Sequence, residues 1–244
     1  MLRFFYTSLL ILLTKIGFSQ FNDSTKYYIN FASSGSINKT QDGSSYLLNN
    51  GFQFQVRKEA IESNFYSNWI YGKQNQKLSN NDFSTTLDFN IYNRKASNLY
   101  YWGLANYNTS YSLKINNQLL TGVGLAYNII NKNNQKLNIS DGILFDRSDI
   151  MLADSTQEIY STWRNSFRLS FKFVINKIFT LQSTSFIQNS LDKKADYIIK
   201  SNNGLSIKLT NWLSFETKYT FNKISRTKRE NQLFSYGLKL EKYF

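Results

Sequence analysis

From Lys26 to the last residue, apolar and polar positions alternate over stretches of ten or more residues, and no stripe of helical period interrupts them. A period of two marks a strand whose two faces meet different surroundings. In SYLLNNGFQFQV, Tyr46, Leu48, Phe52, Phe54 and Val56 fall on one face. In WRNSFRLSFKFVI, Trp163, Phe167, Leu169, Phe171, Phe173 and Ile175 share one face, and Arg164, Ser166, Arg168, Ser170 and Lys172 share the other. The last stretch, QLFSYGLKLEKYF, aligns Phe234, Tyr236, Leu238, Leu240, Lys242 and Phe244. Twelve such segments can be drawn, at about 26–37, 45–57, 63–73, 82–93, 99–109, 118–130, 136–146, 159–175, 178–188, 197–209, 212–222 and 232–244. Joining or splitting the weaker ones would make ten or fourteen.

The connections carry separate information. The first and every second one after it are seven residues or longer, as in NKTQDGS and KQNQKLSN. The others are shorter, down to Asn176–Lys177 and Thr210–Asn211. Long connections at one end and tight turns at the other characterise outer-membrane barrels, whereas a Greek-key sandwich has no reason to sort them. Segment length agrees, since a tilted membrane strand takes about 9–11 residues and a soluble strand about 5–6. The polar face carries Ser, Asn, Gln, Thr and Gly with a basic cluster, not the Lys–Glu decoration of a soluble surface. Tyr27, Tyr46, Trp69, Tyr71, Tyr101, Trp102, Trp163, Tyr197, Trp212, Tyr236 and Phe244 lie near segment ends, as the rings of interfacial girdles do. The pattern therefore predicts an all-β fold: a single antiparallel up-and-down transmembrane β-barrel of about twelve strands, with long extracellular loops and short periplasmic turns. Lys242 interrupts the apolar face close to the rim, where its amine can snorkel to water.

Composition narrows the chemistry. The chain has 244 residues, no proline, no cysteine and no histidine. Disulfides, thiolate or imidazole metal sites and Ser-His catalysis are excluded, and no cofactor is expected. A mean hydropathy of −0.42 argues against a helical membrane bundle. The opening MLRFFYTSLLILLTKIGFSQ has a cation at Arg3, a short apolar run and small residues at Gly17 and Ser19. It is predicted to be a cleaved secretory signal over residues 1–20, leaving the barrel at 21–244. Its removal lowers the net charge of +13 by two. A basic envelope protein favours anionic neighbours: lipid and lipopolysaccharide in a Gram-negative outer membrane, with no nucleic acid.

Several residues are candidates for function. Arg164, Arg168, Lys172, Lys208, Lys218 and Lys239 are expected to point into the lumen with Glu216 and Glu241. They form either an anion-favouring pore lining or a salt-bridge network that fills the barrel. Lys223, Arg226, Lys228 and Arg229 make a basic run in the last long loop, either an anion contact or an ordinary solvated loop. Gly122 and Gly124 lack the rest of a phosphate-loop fingerprint and suit a strand that makes room for a bulky inward neighbour or curves there. Asp141, Asp146, Asp149 and Asp154 do not show the convergence a calcium site needs.

Two stretches, QLLTGVGLAYNIINKNNQKLNISDGILFD and the run from Asp196 to Phe244, resemble an uncharacterised outer-membrane β-barrel family known as salt-induced outer-membrane proteins. The resemblance rests on Gly122-x-Gly124-x-x-Tyr127, Gly142, Asp196-Tyr197 and Gly237-Leu238, and covers most of 21–244. It implies a membrane barrel with no catalytic residues to carry over. The family pattern has an acidic residue and often a proline near the last loop, where this chain has SRTKREN. Many outer-membrane barrels end on a strand with a terminal aromatic read by the barrel-assembly machinery, and Tyr236, Gly237, Leu238, Leu240 and Phe244 resemble that signal. The expected function is a non-enzymatic outer-membrane barrel, either a narrow channel or a structural envelope protein. The alternatives are a secreted basic β-rich binding module and an outer-membrane enzyme working without histidine. Sequence gives no oligomeric state.

Overall fold

The computed structural model describes residues 26–41, 43–92 and 98–244; the expected signal peptide, residues 1–20, lies outside them. Twelve strands follow one another: β1 (Tyr27–Lys39), β2 (Ser44–Lys58), β3 (Ile61–Gln74), β4 (Lys77–Tyr92), β5 (Leu99–Ser110) and β6 (Ile115–Lys132), then β7 (Gln135–Met151), β8 (Gln157–Ile175), β9 (Phe179–Ser190), β10 (Tyr197–Lys208), β11 (Leu213–Ile224) and β12 (Arg229–Tyr243). Each pairs antiparallel with its sequence neighbours, and β12 closes on β1 to complete a barrel. The seam runs from Tyr28↔Tyr243 to Gly35↔Tyr236. The last residue is part of it: Phe244 donates its N–H to the Tyr27 carbonyl at 2.9 Å and accepts from Lys26 N at 2.8 Å. Closure leaves no strand edge to pair with other chains.

The alternation becomes a division between outside and inside. Phe65, Trp69, Phe167, Leu169, Phe234 and Leu238 are exposed on the outer wall, while Asn64, Ser140, Ser166, Ser214 and Ser235 are buried within. The exposed apolar belt continues from strand to strand, far beyond the scattered apolar residues of a soluble surface. Water is therefore the wrong solvent for the outer face, and hydrocarbon the right one.

Two expectations need correction. The connections expected to be long are short irregular segments, because the strands run further at that end. β3 and β4 pair up to Gln74↔Lys77, and β1 and β2 up to Lys39↔Ser44. Ladder hydrogen bonds do not require apolar side chains, so hairpins continue where the alternation fades into polar residues. The extra length is present as extended hairpin. At the β3–β4 tip, Asn75 and Gln76 adopt φ of 49° and 65°, the left-handed pair that a two-residue hairpin turn needs.

Trp102 is not in a girdle. It points inward and is 8% exposed, packed with Tyr100, Ala126 and Leu144. Gly124 and Gly142 sit opposite each other on β6 and β7 and form a flat bed for its indole. A Cβ on Gly124 would lie 2.5 Å from Trp102 Cζ2. Gly124 thus makes room for a bulky inward neighbour, one of the two readings the sequence offered for Gly122 and Gly124. Gly142, for which the sequence predicted no such role, does the same, and Gly122 lies against Leu144. Gly124→Val should therefore cost about 1–3 kcal/mol of overpacking, read as a lower urea midpoint in lipid vesicles. Adding Trp102→Ala should recover part of the loss, which a general strand defect would not allow.

Candidate functional site: a lumen plugged at one end

The barrel has a terminal end, where the first described residue, Lys26, meets Phe244, and a far end. At the far end residues 111–114, between β5 and β6, fold into the mouth. Leu113 is buried there with Ile115, Ile150, Ile198 and Ile224, which come from β6, β7, β10 and β11. Leu152 and Tyr160 pack against this cluster. The segment is latched from both sides. Asp82 on β4 accepts from Ser112 N (3.0 Å), Ser112 Oγ (2.7 Å) and Ser110 Oγ (2.8 Å). Asn231 on β12 donates to Ser112 Oγ at 2.7 Å.

An ionic network accompanies the apolar plug. Arg164 is completely buried, with Nε 2.6 Å from Asp146 and Nη2 3.0 Å from Asp196. Asp196 also receives Arg226 Nε at 2.6 Å, and Arg226 Nη1 reaches Glu158 at 2.6 Å. The Arg226 guanidinium lies 3.7 Å from the centroid of the Tyr160 ring, a cation–π contact. Three carboxylates thus meet two guanidinium groups. Lys200 lies close enough to feel Asp146 and Arg164. In the β7–β8 connection, hydrogen bonds from Thr156 Oγ1 (2.6 Å) and N (3.1 Å) hold Asp154 below the ordinary carboxylate range.

From the plug toward the terminal end the lumen is a polar cavity of about 1220 Å³. Its charges are unevenly distributed. Most of the cations, among them Lys136, Arg168, Lys172, Lys200, Lys218 and Lys239, line it from β6–β8 and β10–β12, and Glu62, Asp82 and Asp88 line it from β3 and β4, with Arg57 on β2 and Glu59 beside them. Some cations are matched locally: Lys218 to Glu216 at 3.2 Å and Lys239 to Glu241 at 2.9 Å. Arg168 holds Tyr100 OH and Asn138 Oδ1 at 3.3 Å each. Among the described residues, no acid stands within 4.0 Å of Arg168, Lys136, Lys172 or Lys200.

The basic residues singled out from the sequence divide into groups. Arg168, Lys172, Lys218 and Lys239 line the cavity. Arg164 faces inward but belongs to the plug. Lys208 keeps the inward parity of β10 at the terminal rim. The loop run does not act as one patch: Arg226 turns into the mouth, Lys223 pairs with Glu230 at 3.7 Å, and Lys228 and Arg229 remain exposed. Asp146 joins the plug, while Asp141 and Asp149 bond Asn165 and Gln157 in exposed positions. Among the described residues no group of three metal-ligating side chains forms. Lys136, Lys200, Asp196, Glu62 and Asp88 were missed, because alternation reveals a face but not which residues meet across the lumen.

A closed twelve-stranded cylinder, oily outside and charged within, defines the class of outer-membrane-type β-barrels. Residues 35–238 match the family described as "Protein of unknown function, DUF481", and the chain belongs to that family. The salt-induced designation rests on the sequence resemblance alone. Among solved structures, the NanC porin is similar with a TM-score of 0.53 at 8% identity, covering 86% of this chain and 98% of that one. An outer-membrane channel from Pseudomonas putida F1 gives 0.53 at 9% identity, covering 95% and 100%. The translocator domain of the autotransporter NalP from Neisseria meningitidis gives 0.52 at 10% identity, covering 96% and 92%. At such identities the likeness is one of fold: the barrel resembles those of bacterial outer-membrane proteins. No curated protein matched the sequence.

The plug yields a stability prediction. Arg164→Met strands Asp146 in a dry site and should cost about 3–5 kcal/mol. Arg164→Met with Asp146→Leu should cost less than the single change, and urea unfolding of the three proteins in vesicles measures the difference.

Proposed function

We propose that this chain is a non-enzymatic integral protein of the Gram-negative outer membrane, a narrow anion-favouring channel held shut at its far mouth. The observation that carries the reading is the polar cavity whose lining cations Lys136, Arg168 and Lys172 have no acid within 4.0 Å among the described residues. A purely structural barrel gains nothing from such a cavity and would be better filled by matched pairs. An enzyme finds little support, since the lumen offers neither histidine nor a metal cluster among the described residues. A water-soluble binding module is disfavoured by the exposed apolar wall.

In this orientation the terminal end faces the periplasm and the latched segment 111–114 faces outward. Lipid chains contact the outer wall, and exposed Lys228 and Arg229 lie at the level of lipopolysaccharide phosphates. Tyr236, Leu238, Leu240 and Phe244 point outward on the closing strand, in keeping with their reading by the barrel-assembly machinery. Gly237 lets β12 approach β1 closely, since a Cβ there would press against Ser33 and Ser34.

Planar-bilayer recording tests the channel. Wild-type protein should be mostly closed, with brief anion-selective openings. Asp82→Ala removes the bonds that latch Ser112 and should raise open probability several-fold. If both proteins, verified as folded by heat-modifiable migration, stay silent at every voltage, the barrel is a static envelope protein.

A further inference from the structure

The inward-facing cations near the terminal end are not all treated alike. Lys239 has Glu241 at 2.9 Å, Lys218 has Glu216 at 3.2 Å, and Arg57 has Glu62 at 4.0 Å. Lys136 and Lys172 differ from these three in having no such partner among the described residues. They sit directly opposite each other on β7 and β8, both facing the lumen. Among the described residues neither has an acid within 4.0 Å. Like charges in direct cross-strand register destabilise a sheet. The charged groups acting on Lys172 are Lys239, Lys136 and Glu241, so the opposite wall adds a third ammonium, whose own carboxylate is already engaged.

The other cross-strand partners are neutral. Gln182 on β9 is the other cross-strand partner of Lys172, and Asn131 on β6 is that of Lys136. Both line the same cavity. Two ammonium groups about 5 Å apart at Cβ, flanked by amides on the lumen side, present donors, and the acid acting on Lys172, Glu241, is engaged by Lys239. A dianionic oxyanion matches this arrangement, because one tetrahedral group can accept from both amines and from the flanking amides. Carboxylate monoanions would leave one ammonium unmatched.

We infer that Lys136 and Lys172, with Lys239 opposite, form an anion site in the terminal half of the lumen for a phosphate group, free or carried by a small phosphomonoester. The site rests on the reading of the lumen as water-filled and open at the terminal end, but not on conduction. Binding offsets the Lys136–Lys172 repulsion, so the occupied barrel is more stable than the empty one.

The test uses folded full-length barrel in uncharged detergent at low salt, with inorganic phosphate and glycerol phosphate as probes and acetate as the monoanion control. Calorimetric titration should show saturable binding of both phosphates and at least tenfold weaker binding of acetate. Lys172→Gln should weaken phosphate binding about tenfold, and Lys136→Gln with Lys172→Gln should abolish it. Lys228→Gln, in the exposed far loop, should change nothing. Phosphate should raise the unfolding temperature of wild type but not of the double variant, whose own unfolding temperature without phosphate should equal or exceed that of wild type. Unchanged phosphate affinity in the double variant, or acetate binding as tight as phosphate, would overturn the site. Absence of phosphate binding by wild type would do so too. Phosphate binding by a barrel silent in bilayers would remove the channel and leave the site; a conducting barrel without phosphate binding would do the reverse.

Discussion

A strand in hydrocarbon has no water to satisfy its N–H and C=O groups, and everything else in this molecule follows from that constraint. A sheet meets it only by closing on itself. Here the closure is the β1–β12 seam, carried down to the hydrogen bonds between Phe244 and Tyr27. Once the cylinder is shut, alternation acquires its meaning: Phe234, Tyr236 and Leu238 are pressed outward, and Ser235 and Lys239 inward. Gly237 is small because the seam passes too close for a side chain.

The same constraint sends polar residues inside, where they must be satisfied without filling the tube. The interior solves this differently along its length. At the far end an apolar cluster around Leu113 and Ile198 is joined by Arg164, clamped between Asp146 and Asp196. A dry guanidinium is tolerated there because two carboxylates meet it and Arg226 shares the second of them. Toward the terminal end the lumen widens into the polar cavity, where Lys136, Arg168 and Lys172 have no acid within 4.0 Å among the described residues. Buried pairing is thus concentrated at one mouth, and open space in the remainder.

Much of this was legible in the residues. Strand count and outward face followed from period two, because register on one strand is a local property. The outward placement of the last aromatic followed from the same parity. Trp102 was misplaced because its position near a segment end looks like a girdle residue; only the bed made by Gly124 and Gly142, on two other strands, shows that it turns in. Arg226 was misplaced for a related reason: a basic loop reads as solvated until Asp196, Glu158 and Tyr160 are seen converging on it. The Lys136–Lys172 opposition depends on the β7–β8 register, which no single strand encodes.

Trp69 and Trp163 are more than two-fifths exposed on the outer wall, while Trp102 is enclosed in the lumen. Single-tryptophan variants in vesicles of acyl-chain-brominated lipid therefore test the hydrocarbon-facing wall most directly. Strong fluorescence quenching at Trp69 and Trp163 and little at Trp102 is the predicted result. Equal quenching at all three, or none at Trp69 and Trp163 in a protein that stays dissolved without detergent, would contradict it.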